Sequence, residues 1–204
     1  MQGGRLMPAI RSNCTSDIHI EDRLFEKINF ASEGLKRGIY ENCKFLNCDF
    51  SSSDLSNQTL INCVFDGCNL CQVKIGNLSL NGVSFKDCKQ LGWDFSNCNE
   101  LLFSVSFDNC NLNYSQFSKM NLKGIKFVDS RLHEVDFRQT NLTNAVFDNC
   151  DLTGAVFLKT NLEKSDFRTS KNYAFDPEQN RIKKAKFSIP GVFGLLSKFD
   201  IEID

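Results

Sequence analysis

Ten cysteines, two histidines and a long row of Asp and Asn side chains are the groups in this 204-residue chain that could do chemistry. Cys43 with Cys48, and Cys63 with Cys68, form two pairs of identical spacing, which invites a zinc reading. His19 and His133 are the only imidazoles, the side chains that most often serve as general bases. Asp49, Asp54, Asp136, Asp151 and Asp166, with Asn69, Asn111, Asn121, Asn141 and Asn161, resemble a bank of catalytic acids. Spacing argues against each reading. Zinc needs thiolates that converge on one point, whereas five-residue spacing turns neighbouring cysteines toward different sides of the chain's path. Neither histidine has a Cys or Ser at a fixed distance, as nucleophilic catalysis would require, and both are expected on the surface. No catalytic, metal or cofactor-binding residue is therefore assigned, no cofactor is expected, and the chain is expected not to be an enzyme.

Those residues are placed by a period of five. A large apolar residue recurs at Tyr40, Phe45, Phe50, Leu55, Leu60, Phe65, Leu70, Ile75, Leu80 and Phe85. After an interruption the series resumes at Leu102 and Phe107 and runs to Leu162 and Phe167. Neither the 3.6-residue helical period nor the two-residue strand period fits. On a helix, residues five apart point roughly 140° away from one another and cannot form a stripe. The backbone must turn once per repeat and present the same position inward each time.

Two residues before each large one stands a small one, often Cys, Ser, Ala or Val, and between them an Asp or Asn expected to bond the backbone at a turn. This accounts for 19 Phe and 10 Cys in a chain with a single Trp. Phe and Leu alternate in the C-terminal half, so each coil must have an even number of sides if like stacks on like. With four sides, Phe107, Phe127, Phe147 and Phe167 share one column and Phe117, Phe137 and Phe157 another. About six coils, roughly 4.8 Å apart, would make a rod of roughly 30 Å.

Three regions follow. Residues 1–37 form an N-terminal cap and degenerate first coil, 38–169 the repeat, and 170–204 a last coil followed by a helix and strand. Within the repeat, 89–104 is irregular: Gln90 stands where a large apolar residue belongs, and the register moves by two between Phe95 and Leu102. Extra residues must bulge outward, because a filled core cannot accept them without strain. The expected bulge carries Leu91, Trp93, Leu101 and Phe103. At the other end Val192, Phe193, Leu195, Leu196 and Phe199 give the helix an apolar face, followed by Ile201 and Ile203 in a strand. Part of that face should cap the rod and part should meet a second copy.

The net charge of -1 argues against binding nucleic acid or anionic membrane through bulk charge. Between Tyr40 and Cys110 eight acids face four lysines, while Lys119, Lys123, Lys126, Arg181, Lys183, Lys184 and Lys186 make the C-terminal part more basic. Residues Met1 to Cys14 contain no apolar run of signal-peptide length and no stretch is long enough to span a bilayer, so a cytoplasmic protein with reduced thiols is expected, Cys71 the exposed one.

Units such as CDFSS, CNLCQ, CNLNY, VDFRQ, CDLTG and SDFRT resemble the A(D/N)LXX repeat of the pentapeptide-repeat proteins. That resemblance implies an all-β fold, a right-handed quadrilateral β-helix of pentapeptide repeats with a short C-terminal helix. Chain length, the early interruption and the apolar C-terminal helix are similar to the Qnr, MfpA and McbG group. What this implies is a homodimeric rod that imitates duplex DNA, binds DNA gyrase or topoisomerase IV and protects it from quinolone-type inhibitors. With a net charge of -1, such imitation requires acids gathered on one face. The expected partner contacts are Asp66, Asp87, Leu91, Trp93, Asp94 and Glu100. A scaffold for some other protein is the alternative.

Overall fold

The structure, a computed structural model, describes residues 18–199 and 201–202. Among them eleven short strands follow in order: β1 (Ile18–Glu21), β2 (Leu24–Glu26), β3 (Gly38–Glu41), β4 (Lys44–Leu46), β5 (Thr59–Ile61), β6 (Val64–Asp66), β7 (Ser79–Asn81), β8 (Val83–Lys86), β9 (Val105–Asp108), β10 (Lys126–Val128) and β11 (Val146–Asp148). A one-turn helix α1 (Phe30–Glu33) interrupts the first coil, and α2 (Ile189–Leu196) follows the last. All strand pairs are parallel, with Phe45 opposite Phe65 and Phe65 opposite Phe85, so one coil is 20 residues and has four sides. Four strands form one sheet and seven another. Isolated parallel bridges continue the same stacking through the remaining sides.

The corner residue two places after each large one explains how a strand can be so short. Asn42, Asn47, Ser52, Asn57 and Asn62 all have φ between 51° and 59°, and later corners repeat this. Asn reaches that left-handed conformation at little cost because its short polar side chain can bond locally. The residue before each large one supplies the second fixture. Asp49 Oδ1 accepts the Ser51 N–H at 2.9 Å, Asp54 that of Ser56 at 2.8 Å and Asp136 that of Arg138 at 2.8 Å. These are turn fixtures, as the period implied.

Inside, Phe25, Phe45, Phe65, Phe85, Phe107, Phe127, Phe147, Phe167 and Phe187 stack ring on ring, neighbouring centroids 4.6 to 5.6 Å apart. The column therefore has nine levels rather than six, because Phe25 and Phe187 extend it into both terminal regions; at about 4.8 Å per level it is roughly 38 Å long. A second column, Phe95, Phe117, Phe137 and Phe157, meets the first edge-on, as in the 73° contact of Phe127 with Phe137. Each such pair adds about 0.5–1.5 kcal/mol beyond area burial.

The small position has a role that size alone did not disclose. Cys63 Sγ donates to Tyr40 O at 3.3 Å, Cys68 Sγ to Phe45 O at 3.2 Å, Thr140 Oγ1 to Phe117 O at 2.7 Å and Thr160 Oγ1 to Phe137 O at 2.8 Å. A thiol or hydroxyl there ties its coil to the one before. Burial pushes the Cys63 thiol up to about 11 and those of Cys98 and Cys150 to about 12, which keeps them protonated as donors.

The irregular coil departs from expectation in two ways. Trp93 does not protrude: it is buried in the small position before Phe95, and its indole N–H donates to Leu70 O at 2.7 Å, the bond a thiol or hydroxyl makes elsewhere. Leu102 is not an inward residue but 68% exposed beside Leu101 at 74%. Ser79 still pairs with Asn99 while Val83 pairs with Val105, so the two surplus residues lie between 99 and 105. Phe103 turns in instead and meets Phe95 edge-on at 6.3 Å. The core takes one side chain from this stretch and leaves the leucine pair outside.

At the C-terminal end Tyr173, Phe175 and Phe187 close over Phe167, and Leu195 of α2 is buried with them. Leu195 thus caps its own rod and is not available to a second copy, which corrects its assignment to the dimer contact. Val192, Phe193 and Phe199 remain exposed and Leu196 is half-buried. Ile201 is exposed and is not in a strand; Ile203 lies outside the described residues. No helix among the described residues is long and apolar enough to cross a membrane.

Candidate functional site

Stacking sets the charges in columns. Along the seven-stranded side Asp66 is in register with Lys86, Lys86 with Asp108, Asp108 with Val128 and Val128 with Asp148. One residue further round, Asp87 N–H bonds Asp108 O, Asn109 N–H bonds Val128 O and Asp129 N–H bonds Asp148 O. Asp66, Asp87, Asp108, Asp129 and Asp148 therefore supply one carboxylate at each of five successive levels, staggered along a single edge. Asn109 Nδ2 donates to Asp87 Oδ1 at 2.5 Å, Asn149 Nδ2 to Asp129 Oδ1 at 2.6 Å and Thr169 Oγ1 to Asp148 Oδ1 at 2.8 Å. These bonds hold Asp87, Asp129 and Asp148 in place.

Other faces carry alternating charge. One column reads Asp49, Asn69, Lys89, Asn111, Arg131, Asp151 and Lys171; another includes Asp54, Lys74, Asp94, Gln116 and Asp136. Of the expected contacts, Asp66 and Asp87 lie on the acidic edge, whereas Asp94, Leu91 and Glu100 fall on other sides. Asp94 is occupied locally, accepting from Ser96 N at 3.1 Å and Asn97 Nδ2 at 3.0 Å. Trp93, being buried, offers no contact at all. Sequence reasoning did not collect Asp108, Asp129 and Asp148 with the first two. Their spacing of 21, 21, 21 and 19 residues is the signal, legible only once the coil is known to be 20 residues with two extra in one turn.

A family model described as a pentapeptide repeat region matches residues 61–137 and 101–172, together more than half of the chain. The chain belongs to the pentapeptide-repeat family. Full-length QnrB1, a plasmid-mediated fluoroquinolone resistance protein, has a similar fold, with TM-score 0.60 at 18% identity over 90% of this chain and 100% of that one. A trypsin-treated variant of QnrB1 gives TM-score 0.62 at 19% identity, over 91% and 100%. No curated protein matches by sequence.

In this pentapeptide-repeat chain the strongest ionic fixtures lie toward the C-terminal end. The Arg168 guanidinium, 3.0 Å (Nε) and 2.8 Å (Nη2) from the Asp166 carboxylate, is the main reason that Asp166 sits at about 2. Burial works against ionisation of Asp151, but hydrogen bonds from Asn172 and Thr153, with the neighbouring His133 imidazole, outweigh it and bring this group to about 2 as well. His133 Nε2 lies 3.2 Å from Asp151 Oδ2, so this imidazole serves a turn. Both carboxylates are depressed in the fold, so their stabilisation is complete above about 3.8, shrinks as pH falls and is gone below about 2. Asp166→Asn should therefore lose less of its urea midpoint than the parent between pH 6 and pH 2.5. Equal losses would assign the acid sensitivity elsewhere.

Proposed function

We propose that this chain is a non-enzymatic, cytoplasmic rod that offers its acidic edge to a DNA-handling surface of a protein partner, and that the partner is DNA gyrase or topoisomerase IV. The supporting observation is the run from Asp66 to Asp148. Neighbouring carboxylates one level apart give about one charge per 4.8 Å of rod, against one per 3.4 Å for a single strand of duplex DNA. The carboxylates alone thus have about 70% of one strand's charge density, reduced by the single positive charge of Lys86 in register between Asp66 and Asp108, and a single such edge suits a surface that contacts one backbone. Likeness of fold to a fluoroquinolone resistance protein points the same way. The reading includes a homodimer through the outer side of α2, where Ile189 is 85% and Phe193 50% exposed.

The test is a gyrase supercoiling assay with ciprofloxacin. The rod should restore supercoiling at micromolar concentration, and the double change Asp108→Lys with Asp129→Lys should abolish the rescue while leaving the far-ultraviolet dichroism unchanged. Absence of binding and rescue would sink the topoisomerase reading. A scaffold for a different protein is favoured by one observation: the Lys164 N–H bonds Lys183 O, which brings Lys164, Lys183 and Lys184 to one corner in neighbouring coils, and none of the three makes an ion pair among the described residues.

A further inference from the structure

We propose that His19, Glu21 and Glu41 bind one divalent transition-metal ion of the zinc type on the outer face of the first coils. The cysteine pairs whose spacing invites a zinc reading, Cys43 with Cys48 and Cys63 with Cys68, are buried inside the rod. These three residues are 2 and 22 positions apart along the chain, and only the coil brings them together. In β1 alternate residues face outward, which puts His19 and Glu21 on one side. Parallel pairing then sets Glu21 directly opposite Glu41 of β3.

His19 Nε2 is 3.2 Å from Glu21 Oε1 and 3.4 Å from Glu41 Oε2, and all three ligand atoms lie within 4.8 Å of one another. An ion bound tetrahedrally at about 2.0–2.1 Å has ligands roughly 3.3–3.4 Å apart, so two of the three edges already have the required length. Like charges opposed across a strand pair are destabilising, and a dication between them reverses the sign of that interaction. The imidazole decides the class: nitrogen with carboxylate oxygens suits zinc, cobalt or nickel, whereas magnesium and calcium take oxygen ligands. Water would complete the coordination.

Among the described residues β1 is the end strand of its sheet, paired laterally with β3. An ion shared between the two strands clamps that end, because whatever binds only the folded form adds to its stability.

Isothermal titration of the tag-free full chain with zinc chloride should show one saturable site that magnesium does not fill. His19→Ala should remove it and Glu41→Gln, which keeps the side-chain shape, should weaken it at least tenfold. His133→Ala and Cys71→Ser, which alter the other imidazole and the half-exposed thiol, should leave it unchanged. Zinc should also slow hydrogen exchange of the Ile20 and Glu21 amides. No saturable binding, or binding that survives His19→Ala in a variant with parental dichroism, would overturn the assignment.

Discussion

Gln90→Leu should raise the thermal midpoint, and Gln58→Leu should lower it, although both glutamines are buried amides in the same core. Gln90 is 0% exposed, and neither its Oε1 nor its Nε2 has a hydrogen-bond partner. It occupies the position filled by Leu70 one coil earlier and Leu112 one coil later. An orphaned buried polar group costs about 1–3 kcal/mol, and leucine in this slot removes that cost and fits the columns above and below. At roughly 2–4 °C per kcal/mol for a chain of this size, a gain of about 2 kcal/mol appears as about 4–8 °C by calorimetry. Gln58 is different. Its Oε1 accepts the Gly38 N–H at 2.8 Å, and its Nε2 donates to Leu35 O at 3.2 Å and Lys36 O at 3.1 Å. Removing that amide takes the side-chain partner from the Gly38 N–H and from Leu35 O, while Lys36 O keeps the Tyr40 hydroxyl at 2.7 Å, and a loss of similar size is expected. If both substitutions moved the midpoint in the same direction, hydrogen-bond satisfaction would not be what distinguishes these sites.

Gln90 belongs to the one coil that breaks the repeat, beside Trp93 and the outward leucines. Elsewhere each repeat position has one environment, and a five-residue pattern was enough to assign the large position, the small position and the turn residue. It failed where one position could be filled in two ways. Trp93 was expected outside because surplus residues must bulge from a filled core, yet an indole N–H can replace a thiol as the donor to the preceding coil. Leu102 was expected inside because counting back from Phe107 by five lands on it, but the stretch from 99 to 105 has two residues to spare and the ring of Phe103 was the better fill. The acidic edge was hidden for a related reason. Its five carboxylates alternate between two positions of the repeat, so no single register of five contains them. Their common edge follows from coil geometry, and so does the meeting of His19 with Glu41.

Gly194→Ala should unseat the C-terminal helix, whereas Phe193→Asp should leave it seated. A Cβ on Gly194 would stand 1.9 Å from the Tyr173 carbonyl oxygen and 3.0 Å from its carbon, backbone atoms that cannot turn aside. The Phe175 N–H bonds Gly194 O at 3.3 Å across this contact, and Lys198 Nζ fastens the far end to Asp176 at 2.7 Å and Glu178 at 2.6 Å. Even one methyl group must therefore push α2 off the rod, at a cost of about 1–3 kcal/mol or more for overpacking, and uncover Tyr173, Phe175 and Phe187. Increased binding of a hydrophobic dye and a lower unfolding midpoint are the expected readouts. Phe193 points away from the rod and is half exposed, so a carboxylate there disturbs no intramolecular contact of the core. Under the proposed homodimer, light scattering should report a smaller particle for Phe193→Asp than for the parent, with unchanged dichroism. Loss of the dimer by Gly194→Ala but not by Phe193→Asp would mean that a second copy needs the seated cap and does not use this ring, and the outer side of α2 would cease to be the contact.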